Sequence, residues 1–304
     1  MGKDLFDNGD EARRIFERAD SVLGFSLSEI CFEGTEEQLR RTEITQPALF
    51  VHSAAVLAQL QEKPSIAAGH SLGEFTALYA AEVLSFDDAL RLVRLRGELM
   101  QQCGERLPGT MAAIVGMDEH AVDEICAEST TVGIVQAANY NSPGQVVISG
   151  SMDGVHAAMQ LAKQRGARLV KELNVSGAFH SPLMQFAQQG LKNAVDSANF
   201  SDAAIPIVAN VSAETVSKAD DIKQLLIKQL TQPVRWVETI QNMTAQGVDT
   251  FIEIGPGNVL QGLVKRIAPN ATIQGIEKWT EIQNRAASRS YSSAMMESRS
   301  SSTA

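Results

Sequence analysis

The sequence predicts an α/β protein in which a parallel-sheet unit is interrupted by a smaller inserted unit. Three observations lead to this prediction. The first hundred residues are mostly helix-forming, residues 107–175 place short strands and helices in the order β-α-β-β-α-β, and residues 176–283 return to strands that alternate with helices. The middle order is that of the ferredoxin-like arrangement. The outer segments, 1–106 and 176–283, are expected to form one discontinuous unit around a mostly parallel sheet covered on both faces.

The first segment is predicted to hold several helices and one short strand. The predicted helices are Asp10 to Leu23, Glu36 to Arg41, Gln46 to Gln61, a helix after Gly73, and Phe86 to Cys103. A Pro-started apolar run, Pro64 to Ala68, is typical of a buried strand. Ser85 is a plausible N-cap because two acidic residues follow in the first turn.

The inserted unit and the closing segment are predicted from the same periodicities. For the inserted unit, we expect strands at Met111 to Val115, Gly133 to Ala138, Gln145 to Ser149 and Arg168 to Val175, with helices at Asp118 to Glu128 and Met152 to Arg165. For the closing segment, we expect strands at Ile205 to Ala209, Thr250 to Ile254 and Thr272 to Gly275, with helices at Ala219 to Leu230, Pro233 to Gln246 and Val259 to Ile267. Pro233 suits the first turn of its helix. The serine-dominated tail, 284–304, has no apolar period and is predicted to be disordered.

Composition excludes several classes of function. The chain has 304 residues, 44% hydrophobic and 20% charged, which is an ordinary globular composition. A net charge of -10 argues against nucleic-acid binding. The three cysteines lack metal-ligand spacing and cannot all pair, so a reducing cytoplasm is expected, with no metal site. No leader pattern or membrane-length apolar run is present in the sequence.

The pentapeptide Gly69-His70-Ser71-Leu72-Gly73 carries the strongest functional signal. It lies between a predicted strand and a predicted helix, which is the setting of a nucleophile elbow. Such a turn holds its serine in a strained backbone conformation, and we expect a Cβ at either flanking glycine to clash. The helix that follows directs N–H groups to the same point, where they can stabilise an oxyanion. The pattern predicts a catalytic Ser71, against the alternative of an ordinary glycine-rich turn.

A serine nucleophile needs a base, and the chain has five histidines. Three fall within or at the start of predicted helices, where packed or solvent-facing side chains are typical: His52, His120 and His156. His70 adjoins Ser71, so its ring is expected to point away from the hydroxyl and to pack. His180 follows a turn-forming segment that leads from the inserted unit into the cleft between the units, where functional loops are placed. From the residues alone, His180 is the candidate base, and a role without catalysis stays open.

Arg96 falls on the predicted helix Phe86 to Cys103, beside a leucine face. Spacing alone favours a solvated or snorkelling arginine at this position. The functional alternative is a clamp for a substrate carboxylate, which the guanidinium fork suits better than lysine does.

Seven segments together resemble a known family. They are Gly69 to Glu74, Arg94 to Gly97, Met111 to Ile114, Asn139 to Gly150, Phe179 to Ser181, Gln229 to Trp236 and Glu253 to Gly257. In this order they resemble the malonyl-CoA:acyl carrier protein transacylase family. The matches extend from the first residues to about Ile276.

The resemblance implies a ping-pong transfer from malonyl-CoA, through a malonyl ester on Ser71, to the phosphopantetheine thiol of acyl carrier protein. It implies that His180 acts as base and then acid of a Ser-His dyad, oriented by a carbonyl near Gln229. It also implies that Arg96 pairs with the malonate carboxylate and that the backbone N–H of Leu72 contributes to an oxyanion hole.

The resemblance implies further pocket residues and a cellular setting. The ring of Phe179 is similar to that of the malonyl-selective form of the family, and Asn139 and Asn210 match positions that line the pocket. The implied fold has an α/β-hydrolase-like large subdomain. The implied setting is cytoplasmic fatty acid biosynthesis by a monomer without a tightly bound cofactor, with a polyketide pathway as the alternative.

The chain departs from the family pattern at both ends. Family members place a strand and a Gly-Gln-Gly-Ser-Gln loop before the segment that matches Met1 to Leu5, and this sequence has no counterpart of either. The comparison therefore predicts an exposed strand edge and the loss of one oxyanion donor. A truncated fragment with impaired or no activity is thus an alternative. The serine-rich tail also lies outside the family pattern.

Two alternative hypotheses assign the protein to other functional classes. A serine hydrolase would keep the elbow and take its acid from Asp153 or Glu172, which precede His180 in the chain. A non-catalytic binding protein would dock an acidic carrier protein through a basic group in the inserted unit. That group consists of Lys163, Arg165, Arg168 and Lys171.

Overall fold

Helices dominate the first part of the chain in the computed structural model, which describes residues 1–287. The elements before the inserted unit are α1 (Lys3–Asn8), α2 (Asp10–Leu23), α3 (Leu27–Glu33), α4 (Glu36–Arg40), α5 (Thr42–Leu57), β1 (Ala67–Ala68), α6 (Gly73–Ala80) and α7 (Phe86–Arg106). The bounds of α2 agree with the prediction. Helices α1 and α3 are not predicted from the sequence, because six and seven residues are too few to display a helical period. Ser85 caps α7 as predicted, accepting the Asp88 N–H.

Helix α5 begins four residues before its predicted start at Gln46 and includes Pro47. Proline has no N–H, so the carbonyl of Glu43 loses its partner within the helix. Arg94 of α7 replaces that partner, with Nη1 donating to the Glu43 carbonyl at 2.7 Å. A side chain of a neighbouring helix therefore makes the proline tolerable, and local sequence does not reveal this contact.

The inserted unit has the predicted order of elements. They are β2 (Gly109–Val115), α8 (Glu119–Ser129), β3 (Val135–Ser142), β4 (Gln145–Ser151), α9 (Met152–Gln164) and β5 (Leu169–Glu172). The strands form a four-stranded antiparallel sheet in the order β3-β4-β2-β5.

Both faces of this sheet are covered. Ala112 and Ile114 of β2 lie in a core with the apolar faces of α8 and α9, whereas Met111, the residue before Ala112, lies in a second cluster with Ala138 and Val147. Phe179 packs against that second cluster and also against the main core. Because successive strand residues point to opposite faces, the apolar run of β2 serves two cores at once. Phe179, which precedes His180, thereby contacts both the main core and the second cluster.

The closing segment returns to short strands and helices. Its elements are a 3₁₀ turn (Pro182–Met184), α10 (Gln185–Ser197), β6 (Ile207–Val208), β7 (Thr215–Val216), α11 (Ala219–Gln229), α12 (Trp236–Ala245), β8 (Thr250–Ile254), α13 (Val259–Ile267) and β9 (Thr272–Ile276). Parallel pairs are present, β1 with β6 and β8 with β9. The expectation of one mostly parallel sheet needs correction, because these pairs belong to two separate sheets and β7 joins β6 antiparallel. The ladders of β1 and β6 are two residues long, which limits the first sheet.

The prediction that Pro233 opens a helix is wrong. Helix α12 begins at Trp236, because the segment before it is held in extended form against β3. The N–H of Val234 donates to the Ala138 carbonyl, and the Val234 carbonyl accepts the Tyr140 N–H, both at 2.9 Å. Bonds to a strand thus replace the first helical turn.

The chain end differs in part from its prediction. Residues 279–287 are helical, so the first four residues of the tail predicted to be disordered are ordered in a helix. Arg285 within it donates to Glu62 and Gln274, contacts that the tail composition does not reveal. Residues 288–304 lie outside the described part of the chain. Within residues 1–287, no helix combines the length and the apolar character needed to cross a membrane.

The buried ring of His52 generates a prediction about acid stability. His52 on α5 is 1% exposed, and burial lowers its pKa from the ordinary 6.5 to about 4. The unfolded chain therefore takes up a proton at His52 below about pH 6.5, whereas the folded chain does so only near pH 4. The free energy of unfolding should fall by about 2 kcal/mol from this residue as pH drops from 7 to 5.

The variant His52→Leu should lose this part of the acid sensitivity, measured as the difference in urea unfolding free energy between pH 7 and pH 5. His120→Leu is the matched control, because the His120 side chain is 84% exposed. An acid sensitivity of His52→Leu equal to that of the wild type would contradict the prediction.

Candidate active site

The pentapeptide of the sequence analysis forms a tight turn between β1 and α6. Ser71 has φ 51°, in the left-handed region that non-glycine residues rarely adopt. A Cβ on Gly69 would lie 1.9 Å from the backbone carbon and oxygen of Gly73, so only glycine fits there. The same expectation for Gly73 is wrong, since a Cβ at Gly73 meets no atom within 4 Å. The close approach in this turn is thus one-sided.

Asn210, just after β6, holds the strained turn from outside. Its side-chain Oδ1 accepts the Ser71 N–H at 2.7 Å, and its Nδ2 donates to the Gly69 carbonyl at 2.6 Å. The side chain is fully buried, so both bonds form away from water. One amide therefore satisfies two backbone groups that the turn leaves without helix or strand partners.

His180 approaches Ser71 from the loop that follows the inserted unit. Ser71 Oγ lies 2.8 Å from His180 Nε2, and His180 Nδ1 lies 2.8 Å from the Gln229 carbonyl oxygen. A carbonyl only accepts, so Nδ1 carries the ring proton and Nε2 is free to accept the proton of the Ser71 hydroxyl. His180 itself has φ 55°, and Gln136 of β3 donates to its carbonyl at 2.8 Å. The ring is thus fixed in tautomer and in direction.

The environment of His180 keeps the imidazole neutral. The side chain is 4% exposed, and burial lowers the pKa of His180 from 6.5 to about 3, with the nearby Arg96 charge acting in the same direction. The bond to Gln229 opposes this shift without overcoming it. A neutral imidazole facing a serine hydroxyl is a base ready to accept its proton.

Arg96 is buried, which resolves the two interpretations of the sequence analysis against a surface arginine. It is 1% exposed, and burial lowers the pKa of Arg96 below that of an ordinary arginine, to about 10. Nη2 donates to Ser71 Oγ and to Gln229 Oε1, both at 3.0 Å, and Nη1 donates to Gln46 Oε1 at 2.6 Å. Its Nε is buried without a partner among the described residues. A buried cation with only neutral hydrogen-bond acceptors is suited to bind an anion.

The remaining predicted site residues are Leu72, Phe179 and Asn139. Leu72 follows Ser71 and precedes α6. Its N–H donates no hydrogen bond to any acceptor within the described residues. Leu72 also lines a cavity of about 150 Å³ next to the turn. Phe179 packs between the two cores, as described above. Asn139 is buried at an irregularity of β3, and the described hydrogen bonds of the Ser71 group do not include its side chain.

The remaining histidines agree with their structural interpretations. His70 Nε2 lies 2.8 Å from Asn141 Oδ1, and its ring packs edge-on against Trp236. His156 pairs with Glu172 near the surface. Glu172, an acid that the hydrolase hypothesis considers, is thus engaged with His156 and Thr110 rather than with His180. Within residues 1–287, no group of three or more metal-ligating side chains is found.

Sequence reasoning missed three polar residues at the site. Gln46 of α5 holds Arg96, Gln136 of β3 holds the His180 carbonyl, and Glu74 of α6 accepts from Gln229 Nε2 at 2.5 Å. Gln46 and Gln136 belong to no motif, so no local signal distinguishes them. Glu74 directly follows the pentapeptide, and a carboxylate on an otherwise apolar helix start was an available signal.

Comparison with known proteins places the chain in a family. The profile of the acyl transferase domain matches residues 1–282. The chain belongs to the acyl transferase domain family. The match confirms the resemblance that the sequence motifs indicate, and it makes the chain an acyltransferase.

Members of this family with similar sequence or structure are known from several bacteria. The malonyl CoA-acyl carrier protein transacylase of Bacillus subtilis (strain 168) is 48% identical over 271 residues, 88% of this chain and 86% of the relative. An acyl carrier protein S-malonyltransferase from Vibrio cholerae O1 biovar eltor has a TM-score of 0.90 at 39% identity, covering 93% of this chain and 94% of that one. A malonyl-transacylase in complex with its type II PKS acyl-carrier protein has a TM-score of 0.89 at 39% identity, covering 93% of each chain.

Because the backbone crowds Gly69 but not Gly73, substitution of these two glycines by alanine should have opposite effects. Gly69→Ala should push the backbone of α6 away from β1, destabilise the protein by about 2 kcal/mol or more, and remove the reactivity of Ser71. Gly73→Ala, with open space around the new methyl group, should retain both stability and reactivity. Thermal unfolding and labelling of Ser71 by a fluorophosphonate measure the two effects. Equal behaviour of the two variants would contradict the prediction.

Proposed function

We propose that this protein transfers a malonyl group from malonyl-CoA to the phosphopantetheine thiol of an acyl carrier protein. The observation that carries this proposal is the buried Arg96, whose Nη2 lies 3.0 Å from the hydroxyl of Ser71. A nucleophile beside a buried cation suits an acyl group that itself bears a carboxylate. In malonyl-CoA one methylene separates the carboxylate from the thioester carbonyl, so Ser71 and Arg96 can engage the two groups together. The names of the relatives support the same substrates.

In the first half-reaction, Ser71 Oγ attacks the thioester carbonyl while its proton passes to His180 Nε2. The carbonyl becomes a tetrahedral oxyanion, which the N–H of Leu72 would stabilise. The resulting imidazolium, anchored through Nδ1 to the Gln229 carbonyl, returns the proton to the departing sulfur of CoA. The products are CoA thiol and a malonyl ester on Ser71.

In the second half-reaction, the pantetheine thiol of the carrier protein replaces CoA. Its proton passes to His180, its sulfur attacks the ester carbonyl, and the collapse of the second tetrahedral intermediate returns the proton to Ser71 Oγ. The product is a malonyl thioester on the carrier, and the enzyme is regenerated. Arg96 holds the carboxylate through both steps, so the ester cannot turn away from the incoming thiol.

Two features weigh against hydrolysis as the main activity. The Nδ1 of His180 faces the Gln229 carbonyl rather than an acid, whereas the hydrolase hypothesis needs an acid at that position. The buried arginine also has no function in a general esterase. We therefore propose a Ser-His dyad and a transfer reaction.

We propose that the chain functions as two units, residues 1–106 with 176–283 and an inserted ferredoxin-like unit at 107–175. The segment of Phe179 and His180 lies where these units meet, which supports a substrate cleft between them.

The proposed setting is cytoplasmic, because the three cysteines are buried as free thiols. We propose fatty acid biosynthesis as the destination of the product. The similar structure with a type II PKS carrier makes a polyketide pathway the second candidate.

The first functional prediction concerns the covalent intermediate. Incubation with labelled malonyl-CoA, without carrier protein, should produce an ester on Ser71 that peptide mass spectrometry locates. The variants Ser71→Ala and His180→Ala should give no label and a strongly slowed reaction, respectively. Folded wild-type protein that remains unlabelled would contradict the proposal, and rapid release of free malonate would favour hydrolysis.

The second functional prediction concerns the choice of acyl group. Arg96→Ala removes the partner of the malonate carboxylate, so the acylation of Ser71 by malonyl-CoA should fall about 10- to 100-fold relative to acylation by acetyl-CoA. Arg91→Ala is the matched control, because Arg91 lies on the same helix with its side chain 58% exposed. An unchanged malonyl-to-acetyl ratio in Arg96→Ala would remove Arg96 from substrate recognition.

A further inference from the structure

Glu74 is a buried carboxylate for which the proposed transfer reaction has no use. It lies in the first turn of α6, three residues after Ser71, and is 2% exposed. Its Oε2 accepts from Gln229 Nε2 at 2.5 Å, and the backbone of Asn210 also favours its charged form. A buried carboxylate is costly unless it is well bound, so its position needs an explanation.

Gln229 is the residue through which Glu74 reaches the site. The side-chain Oε1 of Gln229 accepts from Arg96 Nη2 at 3.0 Å, and its Nε2 donates to the Ser71 carbonyl at 2.9 Å as well as to Glu74. Its backbone carbonyl accepts from His180 Nδ1. One glutamine thus contacts the nucleophile residue, the base and the buried cation.

The orientation of the Gln229 amide decides whether these contacts form together. With Oε1 toward Arg96, every contact joins a donor to an acceptor. In the reversed orientation, the amide N–H groups would face the guanidinium, which has no acceptor. An ionised carboxylate only accepts, so Glu74 reinforces the orientation that Arg96 and the Ser71 carbonyl also require. A neutral amide at position 74 could pair with either end of the Gln229 amide and would remove this restraint.

We propose that Glu74 is a positioning residue, which fixes the amide of Gln229 and through it holds Arg96 against Ser71. This inference rests on the proposed function, because it concerns the same acylation of Ser71. Glu74 also supplies negative charge near Arg96, which offsets the cost of burying the guanidinium.

The placement of Glu74 has a consequence for the pH dependence of acylation. Burial raises the pKa of Glu74 from 4.5 to about 7, although Gln229, Asn210 and the charge of Arg96 oppose this. The other titratable groups at the site are His180 and His70, both of which burial keeps neutral by lowering their pKa. Because the raised pKa leaves Glu74 protonated below about pH 7 and ionised above it, acylation should slow as pH falls through 7. This acid limb belongs to Glu74 rather than to His180.

The experiment measures single-turnover acylation of Ser71 by malonyl-CoA from pH 5.5 to pH 8.5. Wild-type protein should slow below pH 7, whereas Glu74→Gln should be slower by about tenfold at pH 8 and nearly independent of pH. Gln229→Ala keeps the backbone carbonyl that orients His180 and should show the same loss. The double variant should be no slower than either single variant, because both remove one linkage.

Glu98→Gln is the matched control, since Glu98 lies on α7 and its described side-chain bond is to Arg94, away from the site. A Glu74→Gln enzyme with the wild-type rate and pH profile would overturn the inference, as would additive losses in the double variant. If Glu74→Gln does not fold, the inference still requires a flattened pH profile in Gln229→Ala, and an unchanged profile there would overturn it. Absence of acylation in the wild-type protein would instead reject the proposed function.

Discussion

The site depends on the left-handed backbone of Ser71. This conformation turns the hydroxyl out of the junction between β1 and α6, and it costs energy that the surrounding contacts must supply. Gly69 makes the turn sterically possible, and the side chain of Asn210 closes it by bonding to backbone groups on both sides of the turn. Asn210 lies 139 residues along the chain from Ser71, so the backbone of Ser71 is shaped by the complete fold rather than by the pentapeptide alone.

A second strained residue faces the first. His180 also has a positive φ, and its backbone carbonyl is held by Gln136 of the inserted unit while its ring is held by Gln229 of the closing segment. The position of His180 therefore depends on both parts of the chain. The inserted unit contributes to the site through such contacts, although its own core is separate from the main one.

Local patterns in the sequence predicted the elements well, and long-range contacts account for most of the errors. Helix α2, strand β8 and helix α13 have their predicted bounds, because each has a clear apolar period or clear end signals. The start of α5, ahead of Pro47, and the place of Pro233 outside α12 were misjudged, since Arg94 and strand β3 provide the deciding hydrogen bonds. The division of the parallel strands between two sheets has the same origin, because strand pairing is not local.

At the candidate site, too, the local motif could be predicted from the sequence, whereas partners distant in the chain could not. The motif around Ser71 was readable because the chemistry of a tight turn leaves a local pattern, and the structure brings Ser71 together with His180, Arg96 and Gln229. Spacing alone favoured a surface position for Arg96, and only the resemblance favoured the pocket. Gln46, one amide partner of the guanidinium, comes from another helix and belongs to no motif, so neither the spacing on α7 nor the resemblance predicts it.

In the proposed reaction, the charged groups of the site would link substrate binding to the basicity of His180. In the free protein, the pKa of His180 is low because the ring is buried and because Arg96 is positive. A malonyl carboxylate bound to Arg96 would cancel the second of these causes, so the imidazole would become a stronger base when the substrate is in place. The first-listed cause, burial, would persist, and it would keep the imidazolium unstable enough to release its proton to the departing sulfur. One buried arginine would thus both select the acyl group and adjust the basicity of the imidazole that acts on it. Substrate recognition would then be coupled to proton transfer without a carboxylate beside the imidazole.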